Sequence, residues 1–590
     1  MADGTKTNFE RTIGYYRNYK RALVLGGLSV ICSYVVKAIG PTIIKSAIDD
    51  LRQAIEAAGG AMQHSLYIYG GLFLTVVLVQ GCFLYLQRWI LIGMSRDIEY
   101  DLRNDFYQHL ERLSASFYGT TRTGDLMARA TNDIGAIRMM VGPALMYALG
   151  TMVVILAVFP LMLRVSVSLT LLSLCTLPLV SVATKFFAKR IHDRFEKVQE
   201  EFSSITARAQ ENLAGVRVIR AYAREDTEAD AFAEFNRNFV ERNRAIAILQ
   251  SLFYPCLQTF TGLGFAAVLW YGGSKVMAGD ITLGQFVEFN FYLTYLIWPT
   301  IALGWVINLY QRGMASMGRI NSILNTSPDI VDTPNAVEHD VAGGIEFRNL
   351  SFTYPGAAAP VLEDINLKIE PGMTVAVVGR TGSGKSTLVN LVPRLLDAAP
   401  GMVLVDGLPI RDVSLASLRG AIGYVQQETF LFSDTIADNI AFGVPNAGRE
   451  SVEIAAEQAG LARDVTSFPK GFDTMVGERG ITLSGGQKQR TAIARALLRM
   501  PRILILDDAL SAVDTYTEER ILKRLRGIMA DRTSLIVSHR VSTVKEADLI
   551  VVLDHGRIAE RGTHDQLIAE GGLYAELHER QLLEEELAAS

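Results

Sequence analysis

Three stretches of this chain carry residue types at spacings that do chemistry. Gly379-Arg380-Thr381-Gly382-Ser383-Gly384-Lys385-Ser386, followed by Thr387, fits the pattern GxxxxGK[ST]. It begins where the apolar run Thr374–Val378 ends and leads into a helical pattern, the strand–loop–helix context that the motif requires. Glycines let backbone N–H groups approach phosphate oxygens, Lys385 reaches the β- and γ-phosphates, and the Ser386 hydroxyl suits Mg²⁺. By itself this motif implies a nucleotide binder. A second glycine motif, Leu483-Ser484-Gly485-Gly486-Gln487, precedes the helical run Lys488–Arg499. The third stretch is the apolar run Ile503–Leu506, which ends in the acidic pair Asp507-Asp508.

The elements that must hold these residues lie after Ile345. There, short β-rich runs (Thr374–Val378, Ile422–Val425, Ile503–Leu506, Ser534–Val537, Leu549–Leu553) alternate with helical ones, which predicts an α/β domain with a largely parallel sheet over 345–590. A linker over 325–344 precedes it, with Pro328, Pro334, four acids and Gly343-Gly344. The first 324 residues hold nearly all the hydrophobic bias, enough for six membrane spans at about 20 residues each: 22–44, 66–87, 139–163, 165–184, 245–274 and 281–311. The third and fourth, with Arg164 alone between them, read as a tight helical hairpin. Seven Arg in Arg88–Arg138 and twelve Lys plus Arg in Lys185–Arg244 place those segments, with both termini, on the cytoplasmic side. Lys6, Arg11, Arg17, Lys20 and Arg21 point the same way. Ile98–Leu113 and His192–Ala214 have helical periodicity and read as cytoplasmic extensions of the spans. Their tips, Ser116–Asp133 and Gly215–Glu225, read as docking surfaces for the second half. The first span serves as the targeting signal.

Composition removes several classes. Charged residues make up only 20% of the 590, and mean hydropathy is positive, so the chain is neither disordered nor wholly soluble. A net charge of −5 gives no basic face for nucleic acid. Cys32, Cys82, Cys175 and Cys256 all fall in apolar stretches and cannot form a disulfide framework, and the eight histidines lack the short spacings of zinc sites.

The order of these motifs resembles the ATP-binding cassette (ABC) family, and six spans ahead of one cassette resemble an ABC half-exporter. The resemblance covers nearly the whole chain. It implies a multidomain membrane protein: an all-α six-helix transmembrane domain with long cytoplasmic extensions, then an α/β P-loop cassette that hydrolyses ATP with Mg²⁺. It implies that Gly379–Thr387 bind the phosphates and that Tyr354 stacks on adenine. Ser386, Gln427 and Asp507 fall at its Mg²⁺ positions. His539 matches its γ-phosphate-contacting histidine, and Asp514 its loop between paired cassettes. Thr474–Gly480 matches the segment that exporters place beside the membrane-domain tips. In the family, Ser484, Gly485, Gly486 and Gln487 cover the P-loop of a second cassette, so the chain must dimerise. The six spans and Leu483–Gln487 disfavour soluble P-loop enzymes, and importers usually keep the membrane subunit as a separate chain.

One position departs from the family pattern. Asp508 stands where an active site usually carries the Glu that polarises the attacking water. Its carboxylate is one methylene shorter and sits back by roughly 1 Å, a misplacement that can cost about 10²-fold in rate. This resembles the subunit with the weak site in bacterial heterodimeric multidrug or lipid exporters. The partner is then a second half-transporter bearing Glu, and Leu483–Gln487 here complete the partner's site. The alternatives are a homodimer with a working Asp508 and a non-pumping nucleotide-sensing subunit. The expected location is the cytoplasmic membrane and the expected substrate amphipathic. Lys37 and Glu288 either face a cavity or snorkel. Phe286, Phe289, Phe291, Tyr292, Tyr295 and Trp298 either line that cavity or pack against lipid, and Pro299 kinks their span.

Overall fold

The computed structural model describes residues 7–56, 62–477, 483–511 and 515–589. Lys6, Asp514 and the stretch Glu478-Arg479-Gly480 lie outside the described residues. The chain divides into two compact units, Met1–Glu111 with Thr123–Thr326 and Arg112–Arg122 with Ser327–Ser590.

Among the described residues, the secondary structure of the first unit is all helix. Its helices are α1 (Asn8–Asn18), α2 (Lys20–Glu56), α3 (Met62–Arg112), α4 (Ala115–Thr120), α5 (Thr123–Ala128) and α6 (Ile134–Met139). They are followed by α7 (Leu145–Val165), α8 (Val167–Ala214), α9 (Val216–Ala221), α10 (Glu225–Met277) and α11 (Leu283–Leu324); α4 falls in the second unit. Among the described residues, five helical segments are long and apolar enough to cross a bilayer: Lys20–Glu56, Leu66–Arg112, Thr123–Val165, Glu225–Met277 and Leu283–Leu324. The expected fourth span is helical within α8, where the side chains at 176, 177 and 179–181 lie outside the described ones.

The spans run without a break into their polar continuations, because no Gly or Pro interrupts Ile98–Leu113 or His192–Leu213. The hairpin breaks at Ser166, not at Arg164. Ser166 is extended (φ −165°, ψ 119°) and its side chain accepts from Leu169 N, capping α8, while Arg164 lies in the last turn of α7. The segments expected as loop tips are themselves short helices, α4, α5 and α9. Helix α1 is strapped to α3 by Tyr15 OH to Asp105 Oδ2 (2.6 Å) and Tyr19 OH to Asp101 Oδ2 (2.8 Å).

The two charges in the spans lie on one helix seam. Glu288 is 5% exposed, and its Oε1 accepts from Thr42 Oγ1 and Tyr292 OH, both at 3.0 Å, on the seam between α2 and α11. Lys37 Nζ stands 4.4 Å from the centroid of the Tyr295 ring on the same seam. Of the sixth-span aromatics, Phe289 and Tyr292 are fully buried in the helix-packing core and Phe286 and Tyr295 pack against it.

The second unit contains two sheets. Strands β1 (Ile345–Phe352), β2 (Leu362–Ile369), β4 (Val403–Val405) and β5 (Leu408–Pro409) form an antiparallel sheet in the order β2-β1-β4-β5. The main sheet has the order β10-β9-β3-β8-β7-β6, from β3 (Thr374–Gly379), β6 (Ile422–Val425), β7 (Ile503–Asp507), β8 (Thr533–Val537), β9 (Leu549–Asp554) and β10 (Arg557–Gly562). All its pairings are parallel except that of β10. Alternation along β3 fills both faces: Val375 and Val377 join one buried cluster, Ala376 and Val378 the other. Sheets covered on both faces are the setting in which parallel strands occur.

Candidate functional site

The register of the main sheet brings the chemistry together. Val537 of β8 pairs with Val377 of β3 on one side and with Asp507 of β7 on the other, and Val425 of β6 pairs with Leu506. The carboxyl ends of four parallel strands therefore lie along one edge. From them emerge the Gly379 loop, Gln427, Asp507-Asp508 and His539. Crevices beyond the carboxyl ends of parallel strands are where such sheets bind ligands. A cleft of about 210 Å³ lies there, lined by Thr381, Gly382, Gly384, Lys385, Ser386 and Thr387 from the loop. Gln427, Asp507, Asp508 and His539 face them.

Two glycines in the loop are required by conformation and by space. Gly379 (φ 151°) and Gly384 (φ 100°) have backbones that L side chains rarely adopt. A Cβ on Gly379 would collide with the Leu553 carbonyl, and one on Gly384 would lie 2.7 Å from Leu362 Cδ2. Lys385 opens a short helix, α12 (Lys385–Leu391), and is 6% exposed. Its Nζ donates to Gly379 O (2.9 Å) and Arg380 O (2.8 Å), which folds the ammonium over the loop. Burial lowers its pKa, opposed by the carboxylates of Asp507 and Asp508. Ser386 Oγ donates to Asp507 Oδ1 at 3.2 Å. Asp507 is 2% exposed, and burial raises its pKa against the Ser386 hydrogen bond. A cation bound there would reverse that penalty. The donors that face it, a hydroxyl, a carboxylate and the Gln427 amide, are hard oxygen ligands that fit Mg²⁺. Ser383 Oγ is buried with no hydrogen-bond partner in the protein, as expected of a loop shaped for an external acceptor.

Asp508 has a left-handed backbone (φ 47°), a region that Asp tolerates better than longer side chains. Its N–H donates to Val537 O at 2.9 Å, and its carbonyl accepts from Ser511 Oγ at 2.9 Å. Burial lowers the pKa of His539, and the Lys385 charge adds to this against Asp508, so the neutral imidazole is favoured. A folded value below the ordinary 6.5 means that stability is present above that pH and declines as pH falls through and below it. The denaturation midpoint of the full-length protein is expected to fall more between pH 7.5 and 5.5 than that of His539→Gln. Equal slopes would contradict this.

Three expected site groups sit apart from the cleft. The Arg380 guanidinium reaches Glu576 Oε1 on the carboxyl-terminal helix at 3.2 Å, and so turns away from the phosphate loop. Tyr354 does not line the cleft, but its OH lies 3.1 Å from Thr387 Oγ1, beside the loop. Ser484 caps the helix Gly485–Leu498: Gln487 N donates to Ser484 Oγ (3.3 Å) and Ser484 N to Gln487 Oε1 (3.0 Å). None of Ser484, Gly485, Gly486 and Gln487 lines this cleft. Ser484→Ala is expected to cost about 1 kcal/mol by chemical denaturation, and Ser484→Asp to retain most of it. Val361 and Val537 also line the cleft. Val361 carried no sequence signal, because it reaches the site through the antiparallel sheet and not through the phosphate loop.

Residues 23–300 match the family model described as the ABC transporter transmembrane region, and residues 362–511 that described as ABC transporter. The chain is 38% identical over 570 residues to the probable multidrug resistance ABC transporter ATP-binding/permease protein YheI of Bacillus subtilis (strain 168), covering 96% of each chain. It is also 38% identical over 514 residues to the ATP-dependent lipid A-core flippase of Syntrophus aciditrophicus (strain SB), covering 87% of this chain and 85% of that one. A solved structure of a bacterial Atm1-family ABC exporter with ATP bound superposes with a TM-score of 0.77 at 31% identity, over 95% of this chain and 98% of that one.

Proposed function

Because this chain belongs to the ABC transporter family, as an exporter whose cassette couples ATP hydrolysis to transport, we propose that it is one half of a heterodimer with a slow ATP site of its own. The heterodimer exports an amphipathic substrate across the cytoplasmic membrane by alternating access. The observation that carries this reading is Asp508, a short carboxylate on a left-handed backbone at the end of β7.

Lys385 and the loop N–H groups hold the β- and γ-phosphates of ATP, and Tyr354 stacks on the adenine. Ser386, Gln427 and Asp507 hold Mg²⁺, which when bound supplies charge neutralisation on the transferring phosphoryl group. Asp508 accepts a hydrogen bond from the attacking water and, being short, orients it poorly. His539, as a neutral imidazole, donates toward the γ-phosphate. Ser484–Gln487 lie outside their own chain's cleft, which suits a segment that closes the site of a second cassette. ATP trapped between the cassettes binds the closed state more tightly and so shifts the membrane halves outward. The names of the relatives, a multidrug resistance transporter and a lipid A-core flippase, support an amphipathic substrate.

The test is the composition of the complex isolated from its native membrane by a tag on this chain. A stoichiometric second half-transporter with Glu at the position equivalent to Asp508 is the expected result. A complex that contains only copies of this chain would overturn the heterodimer.

A further inference from the structure

The turn that carries His539 has an anchor from far along the chain. His539 follows the end of β8, and two residues later Val541 opens a short helix, Val541–Val544. The first N–H groups of a helix need acceptors from outside it. Arg540, which precedes this helix, is extended (φ −99°, ψ 123°), and its side chain makes no cap hydrogen bond. Other parts of the turn are held from nearby. The buried Ser538 Oγ accepts from Arg540 N at 3.0 Å, and the Arg540 guanidinium and Thr543 hydroxyl donate to the buried Glu518. The N–H of Val541 goes elsewhere. It donates to Gln581 Oε1 at 2.7 Å, on a side chain 40 residues further on.

Gln581 lies on the carboxyl-terminal helix, Leu573–Ala589, whose first turn is fixed to the cassette. The N–H groups of Leu573 and Tyr574 donate to the Glu560 carboxylate on β10. Tyr574 is fully buried, with its OH 2.8 Å from His564 Nδ1. From this base the helix touches two loops of the cleft: the phosphate loop through Glu576 and Arg380, and the His539 turn through Gln581 and Val541. The first contact is an exposed ion pair, a kind that contributes little. The second fills an otherwise uncapped helix start, and Val541 is 7% exposed, so an apolar side chain at 581 leaves a buried donor unpaired.

We propose that Gln581 is a positioning residue for the γ-phosphate step. Its side-chain carbonyl fixes the Val541 N–H, and with it the turn that presents the His539 imidazole to the cleft. Gln581 does not line the cleft, so it acts through this turn and not on the nucleotide. Slack at Val541 moves an imidazole only two residues away, and a misplacement of about 1 Å caused by a remote change can cost about 10²-fold in rate. The inference rests on the role given to His539 under the proposed function and names what holds that residue in place.

The test reads turnover at this chain's own site with radiolabelled ATP in nanodiscs, on the complex isolated through a tag on this chain with the partner's own catalytic Glu replaced by Gln. Gln581→Leu removes the acceptor, and it is expected to lower kcat by about tenfold or more while KM for ATP changes less than about threefold. Gln581→Glu keeps an acceptor oxygen, at a helix start that favours negative charge, and should recover most of the loss. Gln581→Asn, one methylene short of Val541, is the milder variant and should fall between wild type and Leu. In a His539→Ala background, Gln581→Leu should add no further loss, because a residue that acts through the imidazole has nothing left to hold. Thermal midpoints measured beside the rates separate a lost turn from a lost fold. Unchanged kcat in Gln581→Leu, a loss carried by KM alone, or a Glu variant as slow as Leu would each overturn the proposal. An undiminished loss in the His539→Ala background would also overturn it, while leaving the role of the histidine standing. Wild-type turnover in His539→Ala alone would remove that role and this inference together.

Discussion

Lys385→Ala is expected to lower ATP turnover at this chain's own site by roughly 100- to 1,000-fold, the scale seen when one preorganised donor to a developing charge is removed. Lys385 is buried, and its ammonium is held over the loop by the Gly379 and Arg380 carbonyls. A positive charge is therefore fixed in position before any phosphate arrives. Water that replaces it can solvate the phosphate but cannot hold a full charge at that point. The same two hydrogen bonds also support the loop, so the variant is compared with Lys385→Arg. The larger, forked head keeps the charge, and it should keep nucleotide binding better than Ala while still losing turnover. Turnover is read in nanodiscs beside the thermal midpoint. A Lys385→Ala protein that keeps more than a tenth of wild-type turnover at this site would remove Lys385 from its assigned role.

Asp508→Glu is expected to raise turnover at this chain's own site by roughly 10- to 100-fold, because a carboxylate brought about 1 Å closer restores the reach that positioning demands. The backbone resists this in part. At φ 47° the position is left-handed, and Glu lacks the short side chain that makes Asp tolerable there, so a stability loss of about 1 kcal/mol should accompany the gain. Asp508→Asn, which keeps the shape and removes the charge, should take turnover below that of the wild type. The ordering Glu above Asp above Asn is the signature of a carboxylate working at insufficient length. Equal rates for Glu and Asp would mean that the present backbone or a bridging water already closes the gap.

The phosphate loop was legible because its information is local: Gly379, Gly382, Gly384, Lys385 and Ser386 are adjacent in sequence and in space. The strands beneath it were legible as short apolar runs. The antiparallel sheet was not, since β1 pairs with β2 through register shifts around Leu350 and reaches β4 across some fifty residues, which no short-range pattern encodes. In the membrane unit, length and hydropathy placed the helices but not their rotation about their own axes. Of the aromatics in the last span, Phe289 and Tyr292 are buried in the packed core, while Trp298, a few residues away, is 63% exposed. Glu288 shows the same limit. Its partner Thr42 is 246 residues distant, and only tertiary structure shows that the charge is taken up by a helix seam.

The central claim is that this chain binds ATP in a site completed by another subunit and hydrolyses it slowly because of Asp508. The most direct test is the Mg-ATP turnover, in nanodiscs, of the complex isolated through a tag on this chain with the partner's own catalytic Glu replaced by Gln, wild type beside Asp508→Glu. The account predicts ATP binding with turnover far below about one per second, the low end of ordinary enzymes, and a rise of tenfold or more in the Glu variant. Wild-type turnover at about one per second or faster, abolished by Lys385→Ala and unchanged in Asp508→Glu, would contradict it and establish a working Asp508.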